Sequence, residues 1–245
     1  MVAWGEVSGA RMGQIELNLH CEKVREILQG YGLNLDEQKI ELIARYLSLL
    51  INAPLNLSSI EDFESAVHKH VADVLLPIGS LEGKLLDVGT GGGIPGVILS
   101  MVHPIKSVLV DSSKKKTAWL SNTIERLGLK NVEVVCSRIE NLADRHRESF
   151  DYVTARAVAP LRILLELCAP FCKLNGLLLF YKGPNWSEEM TQAGRAVEIL
   201  KVQLEESVEY KLSSGERRVL LKFRKFAPTE RTYPRETKKI LKRPL

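Results

Sequence analysis

Apolar positions along the chain follow two regimes. Over the first 80 residues they recur at helical spacing. Residues 17–30 read as a short helix stopped by Gly30 and Gly32. Ile40, Ile43, Ala44, Leu47, Leu50 and Ile51 form the apolar stripe of a second helix, capped by Asn34 or Asp36 and ended by Pro54. A third helix is predicted over residues 63–76, with Pro77 as its stop. From residue 84 short apolar runs alternate with helical segments. Strands are predicted over 84–88, 107–110, 132–136, 151–155 and 177–181. Helices are predicted over 95–101, 115–127, 161–171 and 187–200, with a short one starting at Ile139. Such alternation predicts a parallel sheet with helices on both faces. The last two runs, 202–212 and 218–224, are joined by Ser213-Ser214-Gly215-Glu216, a hairpin signal. The expected fold is therefore α/β and Rossmann-like: a mostly parallel seven-stranded sheet with an antiparallel edge hairpin, preceded by a small helical unit. The expected divisions are a loose leader over 1–14, the helical unit over 15–80, the sheet domain over 81–226 and a basic tail over 227–245.

Composition changes this picture little, except at the C-terminus. A hydrophobic fraction of 45% and a charged fraction of 26% are ordinary for a soluble globular protein. No apolar run approaches the ~18 residues of a membrane span, and no secretory signal opens the chain. A cytoplasmic protein with no membrane partner is the expectation, with free thiols at Cys21, Cys136, Cys168 and Cys172, which lack C-x-x-C spacing. The five histidines show no metal spacing, and no metal is expected. His68 and His70, two apart on a helix, point to different sides. The net charge of +4 conceals an asymmetry, because nine basic and two acidic residues fall between Lys222 and the end. That segment carries +7 and the rest −3. A polyanionic partner or a solvated tail would each account for it.

The candidate chemistry lies at residues 85–96, Leu-Leu-Asp-Val-Gly-Thr-Gly-Gly-Gly-Ile-Pro-Gly. A glycine turn between a strand and a helix lets backbone approach a nucleotide-like ligand. Gly91 to Gly96 fits G-x-G-x-x-G, with Asp111 about 20 residues on to hold a ribose, which would suit a nicotinamide dinucleotide. Asp87, Gly89, Gly91 and Gly93 equally fit D-x-G-x-G-x-G, the pattern of proteins resembling class I S-adenosylmethionine-dependent methyltransferases. Asp111 cannot choose between the two. Asp87 can, because a carboxylate before the glycines repels a pyrophosphate but suits ammonium and sulfonium cations. The terminal hairpin resembles the reversed last strand of methyltransferase sheets. Cys136-Ser137-Arg138-Ile139-Glu140 falls where those enzymes meet adenine, so Ile139 could cover the ring and Glu140 take the exocyclic amine. A helix-start acid is the plainer role for Glu140, and core packing is the plainer role for Ile94.

At this point the chain resembles the glucose-inhibited division protein B family, bacterial enzymes that methylate guanine N7 in small-subunit ribosomal RNA. The matching runs are Asp87 to Gly96, Leu109-Val110-Asp111-Ser112-Ser113-Lys114-Lys115-Lys116, Val153-Thr154-Ala155-Arg156-Ala157-Val158-Ala159 and Tyr181-Lys182-Gly183. Asn56-Leu57-Ser58, His70 and Asp73 also fit, and the likeness covers residues 20–245. It departs at Ile51-Asn52-Ala53-Pro54, where the family often has tryptophan and basic residues. The resemblance implies an S-adenosylmethionine site formed by Asp87, Gly89, Gly91, Gly93, Ile94, Asp111, Ser112, Ile139, Glu140 and Arg156. It also implies that Arg156, after the fourth strand, faces the transferred methyl; a buried ion pair with Asp87 or another carboxylate is its structural alternative. Guanine N7 has a free lone pair, so no general base is needed and positioning should dominate. RNA contacts are expected from Lys182, Arg231, Arg235, Lys238 and Lys239, with Tyr233 able to stack on a base. The partner implied is small-subunit ribosomal RNA or the small ribosomal subunit, engaged by a monomer. The competing readings are a nicotinamide-dependent oxidoreductase and a non-catalytic RNA-binding module.

Overall fold

The computed structural model describes residues 13–58, 60 and 62–245. The expected loose leader lies, for residues 1–12, outside the described residues. The helical unit opens with α1 (Gln14–Gly30) and α2 (Glu37–Ile51). Asp36, one of the two expected caps, accepts the Lys39 backbone N–H at 2.9 Å. The third helix is interrupted. An α turn, α3 (Phe63–Ala66), passes into a π segment, Val67–Ala72, and closes as α4 (Asp73–Leu75). Hydrophobic spacing does not distinguish a π turn from an α turn, so this feature was invisible in the sequence.

The sheet follows with β1 (Gly83–Val88), α5 (Gly96–Val102), β2 (Ile105–Asp111), α6 (Lys114–Leu127), β3 (Val132–Cys136) and a 3-10 turn Ile139–Leu142 leading into α7 (Ala143–His146). It continues with β4 (Phe150–Arg156), α8 (Leu161–Cys168), β5 (Cys172–Lys182), α9 (Trp186–Ile199), β6 (Val202–Lys211) and β7 (Arg217–Lys225). Ser113 caps α6, and Gly128, at φ +68°, closes it in the left-handed conformation open to glycine. The strand order is β3-β2-β1-β4-β5-β7-β6, with β7 antiparallel to both its neighbours. The expected seven strands and reversed edge are present. The largest boundary differences lie together: the helix expected over 161–171 ends at Cys168, and β5, expected from 177, opens at Cys172 opposite Phe150. Cys168 and Cys172 are buried free thiols, as expected, whereas Cys136 is exposed.

The order reverses between β1 and β4, and ligands of such sheets bind at the carboxyl ends of the strands at that switch. Side-chain alternation assigns the two faces. Leu85, Leu109, Leu179, Tyr181 and Leu220 belong to one core with the helical unit, α5 and α6. Leu86, Val110, Val153, Phe180 and Leu221 belong to the other, with α8 and α9. The helical unit is thus packed on the face that carries Asp87, not appended beside the sheet. The C-terminal segment is packed too. It forms α10 (Thr237–Lys242), and Ile240 is fully buried in the second core.

Candidate functional site

The glycine turn is built for close approach. Gly89, Gly91 and Gly93 all have positive φ, at +72°, +57° and +108°. A Cβ on Gly96 would collide with the Asp87 and Leu109 side chains. At Gly91, by contrast, a Cβ would meet only the Gly89 carbonyl, at 4.0 Å, so that side of the turn is open. Tyr46 of α2 is fully buried and donates its hydroxyl to the Gly92 carbonyl at 2.8 Å, which ties the helical unit to the turn. Ile94 is half-buried against the same core.

Asp87 lies beneath the turn with no exposed surface. Its Oδ2 accepts the Thr90 hydroxyl at 2.6 Å and the Gly96 N–H at 3.1 Å. Its Oδ1 is buried and has no hydrogen-bond partner among the described residues. Burial pushes this carboxyl up to about 6, against the pull of Thr90, Gly96 and Arg156. A buried acceptor that lacks a donor is well matched to a cationic group. Asp111, at the end of β2, accepts the Gly91 N–H at 3.0 Å and the Ser113 N–H at 2.8 Å, one on each oxygen. Each oxygen keeps a lone pair for a hydroxyl, and the exposed Ser112 stands beside it. The residues present therefore fit an adenosyl cofactor carrying a positive charge.

Ile139 and Glu140 are placed differently from a simple adenine wall. Ile139 is 6% exposed and packs in the second core. Glu140 Oε1 accepts the Thr237 N–H at 3.0 Å, at the start of α10, and its Oε2 is buried without a partner among the described residues. The sequence offered no sign of this link, which spans 97 positions.

Arg156 sits on the same face as Asp87. Thr154 is level with Asp87 in the parallel β1–β4 ladder, and Arg156 lies one pleat further toward the carboxyl edge. Its partner is Asp73, a carboxylate the sequence did not single out for this pair, and not Asp87. Nη2 meets Asp73 Oδ2 at 3.2 Å and donates to the Lys69 carbonyl, inside the π segment, at 2.7 Å. Asp73 is also held by the Tyr210 hydroxyl at 2.7 Å. His70 donates Nδ1–H to the same Lys69 carbonyl at 3.1 Å, which leaves Nε2 to accept the Ser58 hydroxyl at 2.8 Å. Burial, aided by Arg156, pushes His70 down to about 4, so it is neutral near pH 7. His68 faces elsewhere, toward Tyr31 and Ser213. The Asp73 contacts with Tyr210 and Arg156 come from remote strands and escaped the sequence, as did the His70 bond to Ser58.

The expected RNA contacts divide into two groups. Lys182 is directed inward, with Nζ donating to Glu189 at 2.7 Å and to the Ala159 carbonyl at 2.9 Å. Arg235 clamps the fully buried Glu166 through Nε at 2.6 Å and Nη2 at 2.5 Å. Neither offers its charge to a partner. Neither ion pair was foreseen, because a sequence gives charge but not the carboxylate that meets it. Arg231, Lys238 and Lys239 are exposed. Tyr233 is half-buried under the Arg235 guanidinium, 6.0 Å from its ring centre. Among the described residues no cluster could hold a metal ion.

Comparison with known proteins agrees with this geometry. A sequence model of the GidB family, described as rRNA small subunit methyltransferase G, matches residues 38–220. The ribosomal RNA small subunit methyltransferase G of Pseudothermotoga lettingae is 55% identical over 91% of this chain and 99% of its own length. Its counterpart from Thermotoga sp. (strain RQ2) is 49% identical over 91% and 99%. Among solved structures, M. jannaschii TYW2 in complex with AdoMet superposes with a TM-score of 0.55 at 15% identity, covering 70% of this chain and 81% of that one. This likeness extends to the fold, which is that of class I methyltransferases. None of these comparisons favours the nicotinamide-dependent oxidoreductase, and that alternative is set aside. The chain belongs to the GidB family of small-subunit ribosomal RNA methyltransferases.

Proposed function

We propose that the protein methylates N7 of a guanine in small-subunit ribosomal RNA, using S-adenosylmethionine. The observation that carries the cofactor is the buried Asp87 Oδ1, an acceptor without a donor beneath an open glycine turn. When bound, S-adenosylmethionine supplies a methyl group activated by a sulfonium cation. Asp87 would face its positive charge, Asp111 and Ser112 its ribose, Gly89, Gly91, Gly93 and Ile94 its methionine side. Ile139 would back the adenine and the spare Glu140 Oε2 would accept its amine. Arg156 would line the methyl end.

The chain's own part in the reaction is positioning. Among the described residues no side chain is poised as a general base, in keeping with a nitrogen that carries no proton. Arg231, Lys238 and Lys239 would meet phosphates, so affinity should fall with salt. The protein would act as a monomer on ribosomal RNA in the cytoplasm. The test is mass spectrometry of small-subunit RNA after reaction with labelled S-adenosylmethionine. One labelled 7-methylguanosine is expected; label on another atom or another base overturns the reading.

A further inference from the structure

The guanidinium of Arg156 is only half used. Its side chain is 19% exposed, and Nη2 takes both acceptors, Asp73 and the Lys69 carbonyl. Nη1 is buried and has no partner among the described residues. Leaving a buried N–H unpaired costs about 1–3 kcal/mol, so its persistence at the ligand edge of the sheet points to an acceptor brought by a ligand. Two residues along a strand span about 7 Å, so Arg156 stands that much further out than the Asp87 level on the same face. A group approaching the cofactor from outside would pass it. Val158, two residues on and 38% exposed, lies against Gly89, so the loop after Arg156 borders the cofactor cradle.

Three acceptors could meet this N–H: a methionine carboxylate, an RNA phosphate or a base carbonyl. The local charges favour the neutral one. Asp73 already neutralises Arg156, Arg218 Nε lies 3.8 Å from Asp73, and Arg218 and Lys69 are in turn paired to Glu216. The Arg156 charge is thus met directly by its own carboxylate, and an anion gains little at Nη1. On a guanine whose N7 faces the methyl group, the neighbouring acceptor on the same edge is O6; adenine presents an amine there.

We infer that Nη1 of Arg156 donates to O6 of the target guanine and so selects a 6-oxopurine, while Asp73 and the π-segment carbonyl of Lys69 act as positioning groups. The inference rests on the proposed guanine-N7 reaction. In that reaction the N7 lone pair forms the N–CH3 bond, the S–CH3 electron pair returns to sulfur, and the positive charge passes from sulfonium to base with no proton moved. Because Nη2 is engaged elsewhere, Arg156 cannot present the Nη1/Nη2 fork that would cover O6 and N7 together, and the lone pair stays free. Because Asp73 neutralises it, Arg156 does not oppose the cation that develops on the base.

The test uses small-subunit RNA assembled with guanosine, or with 2,6-diaminopurine riboside, at the modified position. The analogue keeps N7 and replaces O6 by an amine. The full-length enzyme should methylate guanosine about 10²-fold faster than the analogue, the margin expected of a site built to bond a substrate oxygen. Arg156→Lys and Arg156→Ala should lose that preference, to within about threefold, while binding S-adenosylhomocysteine normally. Asp73→Asn should lower kcat and narrow the same ratio, which a purely structural role would not. Equal wild-type rates on the two bases overturn the inference, as does a ratio that survives in both Arg156 variants. Loss of S-adenosylhomocysteine affinity in step with turnover would assign Arg156 to the methionine carboxylate, and a flattened salt slope would assign it to phosphate; either result overturns it. If the wild-type enzyme methylates no guanosine at N7, it is the proposed function that fails.

Discussion

Two buried ion pairs fasten the helical unit and the C-terminal segment to the sheet domain, and they differ in how completely they are used. On the α8 face, Glu166 accepts the Arg235 backbone N–H, Nε and Nη2, and Arg235 also reaches the Arg243 carbonyl. Nearby, the fully buried Lys225 donates to Glu148 at 2.8 Å and to the Ala169 carbonyl at 2.9 Å. On the opposite face, the Arg156–Asp73 pair keeps Nη1 idle, and Asp87 close by keeps Oδ1 idle. A saturated pair has nothing left to give and serves structure. An unsaturated one has hydrogen-bonding capacity left for a ligand or an ordered water. Such idle atoms also occur at Glu140 Oε2 and Arg162 Nε on the α8 side, so it is their position at the carboxyl edge beside the glycine turn that distinguishes Arg156 and Asp87.

Breaking the saturated pair should give the largest effect. Arg235→Ala leaves Glu166 buried and unpaired, and should lower the unfolding free energy by about 3 kcal/mol in urea titration. An unchanged midpoint with weakened RNA binding would restore Arg235 to the RNA surface. On the unsaturated side, Arg156→Ala should lower turnover about 10²-fold while S-adenosylhomocysteine affinity, measured by calorimetry, changes less than about threefold. A cofactor defect as large as the turnover defect would remove Arg156 from the methyl end.

Asp111→Ala should weaken S-adenosylhomocysteine binding about tenfold, through lost hydroxyl contacts and a looser Gly91 turn. The proton on Asp87 gives a pH dependence. Its raised folded-state value means the fold holds this proton more tightly than the unfolded chain does. That contribution to stability is present at low pH and is lost as pH rises through about 6. Cofactor binding should run the opposite way, tightening as pH rises through about 6 and releasing a proton to buffer. A flat calorimetric profile between pH 5 and about 8 would leave Asp87 without the cation. The smallest effects belong to the surface. Lys238→Ala and Lys239→Ala should each weaken RNA binding a few-fold and reduce the salt slope by about one.

Local features were legible in the sequence because their causes are local. The D-x-G-x-G-x-G run needs only its own residues to form a turn, and Asp111 follows from the length of one strand–helix–strand step. The alternation that set the strands gave the seven-stranded sheet, and Gly128 and Asp36 fixed two helix ends. What stayed hidden depends on partners far away along the chain. Asp73 meets Tyr210 across 137 positions, and Arg235 meets Glu166 across 69. Hydrophobic period is silent on both. α10 was missed for a different reason: in six residues it buries a single apolar side chain, Ile240, too few to set a period.

The seat of α10 also bears on how the chain is made. Glu140 and Glu166 belong to segments synthesised long before residues 235–240, yet both receive their partners from those last residues. A chain made only through β7 leaves the Glu140 carboxylate without its Thr237 donor and Glu166 without Arg235. The surroundings of Glu140 and Glu166 are thus completed only once residues 235–240 have been made and packed.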